Sequence, residues 1–171
     1  MESKNGYRFE HGGKIRLAII FPLIILIFFQ VGCWGFFGRE DGPKVCRDFF
    51  SKSRTDKEFL NHSLEDQFEI HKCSLQHIPG IGREGVMSEG GEKIVPFLVE
   101  KLNGKYKSQY EKDLTVYATA EVFSSLSIKG YLHKRGRIVD LLERKVRLIE
   151  DGIWRDRAMD DLRTIKEELN R

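Results

Sequence analysis

The run from Leu17 to Phe29 holds thirteen residues without a polar side chain, and no other stretch constrains this 171-residue chain as strongly. Lys4, Arg8, Lys14 and Arg16 precede it against Glu2 and Glu10, the basic entry expected of a segment whose N-terminus stays on the cytoplasmic side. Thirteen residues fit the apolar centre of a signal peptide and are too few to cross a hydrocarbon core of ~30 Å. Extended to Gly38, the same stretch is interrupted only by Gln30 and is long enough for an uncleaved spanning helix. Trp34, Phe36 and Phe37 would then lie at the outer interface. A buried core helix is the third reading, and the first two put the rest of the chain on the same side of the membrane.

Val31-Gly32-Cys33 closes the run, and here the chain resembles a bacterial lipoprotein signal peptide with its lipobox, although Gln30 stands where that pattern usually carries Leu. The resemblance implies that the Cys33 thiol takes a diacylglycerol, that the chain is cut before Cys33 and that the new amino group is acylated. Two or more acyl chains, at roughly 0.8 kcal/mol per buried methylene, hold a protein on a membrane durably. The implied location is the bacterial cell membrane or outer membrane, with the domain on the extracytoplasmic side. The three-part organisation is residues 1–32 as signal or anchor, 33–54 as tether with a short helix, and 55–171 as one helical domain.

Charge and cysteines both become simpler on that division. Taking away the four basic and two acidic residues before Cys33 leaves 25 basic against 24 acidic, a formal charge of +1 instead of +3. So even a balance argues against a nucleic-acid surface. Of three cysteines, Cys33 goes to lipid, which leaves Cys46 and Cys73 either as a disulfide in an oxidising envelope or as two small buried hydrophobes.

Downstream the apolar spacing is helical throughout, and the expected class is all-α. Thr55 with Glu58 has capping-box spacing, and Ser63 offers a second start before Leu64, Phe68, Ile70, Cys73, Leu75 and Ile78. Residues 80–91 contain five glycines and read as the main loop. A helix from Glu92 to Leu102, another after Asp113 through Leu126, one from Ile138 to Ile149 and a last from Trp154 to Leu169 follow, separated by short turns expected to pack neighbours antiparallel. From Gly90 to Leu169 this succession resembles HEAT-type helical hairpins, on periodicity and without an exact internal repeat.

Chemistry is sparsely signalled. Gly80, Gly82 and Gly85 match G-x-G-x-x-G, yet they follow a helix stopped by Pro79 where a dinucleotide site requires a strand. Ile78 to Gly82 resembles the hairpin of a helix-hairpin-helix DNA-binding motif, but Gly85, Gly90 and Gly91 interrupt the second helix that motif needs. Gly80, Gly82, Arg83, Glu84 and Gly85 are therefore taken as a candidate binding loop. Cys73 and His77 share a helix face at i,i+4, while His71 lies about 160° from Cys73, so the three do not converge from one helix and no metal site is expected from them. With no nucleophile beside a base, neither an enzyme nor a cofactor is expected. The expected partners are the membrane, through lipid on Cys33 or a single transmembrane helix, and another protein bound in an adaptor or immunity-type role; nucleic acid is not expected. The alternative is a small-ligand or metal-binding envelope protein that uses the glycine loop with His71 to His77.

Overall fold

Four of the helices start where the sequence supplies a side-chain oxygen for the free amides of the first turn. The computed structural model describes residues 43–51, 55–77, 82–132 and 136–171, so the apolar run and Cys33 lie outside it, as do Ile78 to Ile81. Helix α1, Lys44–Ser51, follows Pro43. Thr55 accepts the Glu58 amide at 3.2 Å and opens α2, Asp56–Leu60. Ser63 accepts the Asp66 amide at 3.1 Å at the head of α3, Leu64–His77.

A single helical turn, α4, Glu84–Met87, leads through a 3-10 stretch, Ser88–Ile94, into α5, Val95–Asn103, with Pro96 in its first turn where a missing N–H costs nothing. Ser108 caps α6, Gln109–Ile128, which begins four residues before Asp113. Helix α7 is Gly136–Val146, and Asp151 caps α8, Gly152–Leu169, by accepting the Ile153 and Trp154 amides. Among the described residues there is no strand, and no helix is long and apolar enough to cross a membrane.

Helix α6 is the centre of the domain, buried on nearly every side from Asp113 to Ala120 and again at Val122, Phe123, Ser124, Leu126 and Ser127. Its small hydroxyl residues make that possible. Thr119 Oγ1 donates to the Thr115 carbonyl and Ser127 Oγ to Ser124, so the polar groups are satisfied within the helix and neighbours can approach closely. At its end Gly130, with φ 77°, lets the Tyr131 and Gly130 amides reach back to the Leu126 and Ser127 carbonyls, a Schellman stop that only glycine adopts without strain.

The broadest contact in the domain joins α6 and α8, and they run parallel. Asp113 meets the amides of Glu150 and Asp151, Tyr117 stacks on Trp154, and Ser124 meets Asp161, all at a constant separation of about 37 residues along the chain. The dominant helix pair is thus not one of sequential neighbours but lies one helix further along the chain. The Asp113 carboxylate is buried and organises this pairing, since it also accepts from Gln109 Nε2.

Two expectations change. The segment from Glu84 to Ile94 is helical apart from a kink at Gly91, φ 60°, rather than a loop, because Ser88 Oγ bonds the Gly85 carbonyl and the Ser125 hydroxyl while Lys129 Nζ also reaches Gly85. Those bonds to α6 and its C-cap supply what Gly85, Gly90 and Gly91 lack in helix propensity. The short helix Lys44–Ser51, assigned to the tether, packs into the domain: Cys46 and Phe49 are buried, Phe49 meets Phe59 edge-on at 6.1 Å, and Cys46 is joined to Cys73 of α3 by a disulfide with its Cα atoms 6.4 Å apart. Residues 42–171 accordingly form one compact unit.

Candidate functional site

Four helices bring polar side chains to one place in the core. His71 comes from α3, Glu84 from α4, Tyr117 and Glu121 from α6, and Arg157 and Asp161 from α8. A ligand atom from each of His71, Glu84 and Glu121 lies within 4.8 Å of the other two. The histidine is completely buried and the Glu121 side chain is 17% exposed.

Hydrogen bonds fix the state of His71. The Arg83 amide donates to Nδ1 at 3.2 Å, so Nδ1 holds the lone pair and the proton sits on Nε2. That N–H faces the Ala118 carbonyl at 3.3 Å and passes 3.5 Å from Glu121 Oε2. Burial pulls the imidazole down to about 4, against a smaller upward effect of the Ala118 carbonyl, so it is neutral at physiological pH.

The carboxylates are in the opposite condition. Burial raises Glu121 to about 7; a hydrogen bond from the Tyr117 hydroxyl and the charge of Arg157 oppose the rise, while the charges of Glu84 and Asp161 add to it. Burial likewise raises Asp161 to about 6, with Glu84 contributing and a hydrogen bond from Ser124 opposing. Tyr117, stacked on Trp154 at 5.0 Å, is raised by burial and by donating to Glu121 Oε1.

One oxygen on each glutamate is unused. Glu84 Oε2 and Glu121 Oε2 are closed to solvent and accept no hydrogen bond, which is costly for a group carrying charge. Gly82 makes the room for the first of them: a Cβ built there would lie 2.0 Å from Glu84 Oε2. Buried carboxylates that repel one another and keep open lone pairs are relieved by protons or by a cation.

Of the candidate loop, the structure puts Gly82 and Glu84 in this cluster. Arg83 contributes its amide while its guanidinium pairs with Asp56 and lies 5.6 Å over the Phe49 ring. Gly85 is exposed within α4, and Gly80 lies outside the described residues. Of the histidine run, Cys73 is in the disulfide and His71 reaches the cluster, while the neighbouring His62 packs edge-on to Phe49 and the His77 side chain lies outside the described residues. Sequence reasoning missed Glu121, Asp161 and Arg157. The available signal was Glu121 itself, an acid one turn after the inward-facing Tyr117 in a run of small and apolar residues.

A concavity elsewhere is lined by Glu65, Glu69, Glu100 and Glu111 with Lys72, Lys101, Lys105 and Tyr106, and the Lys72–Glu69 and Lys101–Glu65 ion pairs lie in its wall. No protein-family model, no curated protein and no solved structure matches this chain.

Proposed function

We propose that this chain is a membrane-attached extracytoplasmic protein whose helical domain binds a divalent cation at the His71–Glu84–Glu121 cluster. The observation that carries the reading is a pair of enclosed carboxylate oxygens without a hydrogen bond, Glu84 Oε2 and Glu121 Oε2, on two side chains that each bring a ligand atom within 4.8 Å of the other and of His71. Attachment rests on the apolar run and the Val31-Gly32-Cys33 sequence, and a Cys46–Cys73 disulfide suits an oxidising compartment. The parallel α6 and α8 with α7 returning between them support a HEAT-like arrangement of helical hairpins. The test is equilibrium dialysis of the full chain in mild detergent against Ca2+, Mn2+ and Zn2+, with metal counted per protein. One equivalent bound by the wild type and lost in Glu84→Gln/Glu121→Gln is the expected result; no binding at millimolar cation overturns it.

A second reading, docking of another protein in an adaptor or immunity-type role, is favoured by Leu148 and Ile153. They flank the α7–α8 turn and stay 57% and 66% exposed. Replacing both by Glu should abolish a native crosslink to that partner, and an unchanged crosslink would remove this surface from consideration.

A further inference from the structure

We infer that the site selects a hard, oxygen-seeking cation of the Ca2+, Mg2+ or Mn2+ class, held by Glu84 and Glu121, and that His71 is a positioning residue, holding the Arg83 amide beside Glu84, and not a ligand. The inference rests on the cation reading above and adds the class of ion and the role of the histidine.

The argument turns on the proton of the imidazole. A neutral histidine ligates through the nitrogen that lacks hydrogen, and its other nitrogen donates to a neighbour. Here the Arg83 amide already donates to Nδ1, which obliges Nε2 to carry the hydrogen. Nε2 is also the atom that points toward Glu121. Using it as a ligand would either strip the ring to an anion or move the proton to Nδ1, where it would meet the Arg83 N–H head-on. Both changes are costly in a fully buried ring.

What remains to face a cation is oxygen. Glu84 Oε2 and Glu121 Oε2 are open, while Glu121 Oε1 is held by the Tyr117 hydroxyl, which leaves Oε2 as the free oxygen of that carboxylate. Asp161 is close enough for the Glu84 charge to act on it, so the local charge is carboxylate-rich. Carboxylate oxygens completed by water suit Mg2+, Ca2+ and Mn2+, whereas imidazole or thiolate would be needed to favour Zn2+ or Cu2+. The nearest thiol is consumed in the Cys46–Cys73 bond. Gly82 leaves room for the open Glu84 oxygen, because the space a Cβ would fill is the space Glu84 Oε2 occupies.

The experiment uses Mn2+ as probe on the full chain in detergent, read by pulsed electron paramagnetic resonance. The expected result is stoichiometric Mn2+ that Ca2+ displaces, with no directly coordinated nitrogen in the spectrum. His71→Gln, which keeps an acceptor for the Arg83 amide and an N–H donor, should hold Mn2+ within about threefold of wild type, and His71→Leu should weaken it by roughly tenfold or more, as loss of an orienting group does. A directly coordinated nitrogen, or Mn2+ binding lost in His71→Gln while circular dichroism stays native, overturns the inference and leaves the cation reading standing. Absence of any divalent binding overturns both. The spectrum of the wild type decides the histidine's role even if His71→Leu fails to fold.

Discussion

Replacing Glu121 by Gln should make the cation-free protein more stable at alkaline pH. In the folded state Glu121 is raised from 4.5 to about 7, chiefly by burial. A carboxyl that holds its proton more tightly folded than unfolded contributes stability that is complete below pH 4.5 and is lost as pH climbs through 7. At ~1.4 kcal/mol per pH unit, the loss by pH 8.5 is about 3 kcal/mol. Gln imitates the protonated acid, since its carbonyl still accepts from Tyr117 and no charge faces Glu84. The variant should therefore match wild type near pH 4.5 and exceed it by roughly 2–3 kcal/mol at pH 8.5, which for a domain of this size is a Tm about 6–12 °C higher. His71 has the opposite dependence, its contribution being present above pH 6.5 and lost as pH falls through about 4. It is common to both proteins and cancels in the difference. The assay is thermal unfolding followed by circular dichroism, in chelator, at both pH values. A variant no more stable than wild type at pH 8.5, or a difference that does not change with pH, would refute the burial argument. Saturating Ca2+ or Mn2+ should reverse the order, because the ion restores a use for the charge.

Asp113→Ala should cost roughly 2–4 kcal/mol in urea unfolding, because the buried carboxylate accepts the Glu150 and Asp151 amides and both would lose their acceptor. Cys73→Ser should lower stability by about 3.5 kcal/mol, the loop-closure value for a separation of 27 residues, and wild type under strong reductant should fall by the same amount. Gly82→Ala should displace Glu84 and reduce cation affinity at least tenfold with little change in helix content, because the added Cβ takes the place of the carboxylate oxygen. Mass spectrometry of the mature N-terminus should find diacylated Cys33; an intact Met1 would assign the apolar run to a spanning helix instead.

What the sequence made legible was local. Thr55 and Ser63 mark helix starts because a capping hydroxyl sits beside the amides it satisfies, and both are visible within four residues. The all-helical class follows from spacing in the same way. The glycine segment misled because its helicity depends on Ser125 and Lys129, about 40 residues away, which pin the Gly85 turn to α6. The site was hidden for the same reason. Glu84 stood in the candidate loop, but its partners His71, Glu121 and Asp161 come from three other helices, and only the parallel packing of α6 with α8 brings the last two together. Burial of Glu121 and His71 is likewise a property of the assembled core.

The Cys46–Cys73 bond has a mechanical meaning as well. Tension applied from the N-terminal side enters the domain at α1, reaches Cys46 first and crosses directly to α3. The residues between are bypassed, so α2 and the capped turns around Thr55 and Ser63 form an unloaded loop. Reduction would bring that loop into the line of force and release about 90 Å of slack, at ~3.4 Å per extended residue. Because Cys73 stands two residues beyond His71, the intact bond also bypasses the imidazole of the buried cluster, and the same chemical event would place it in the line of force.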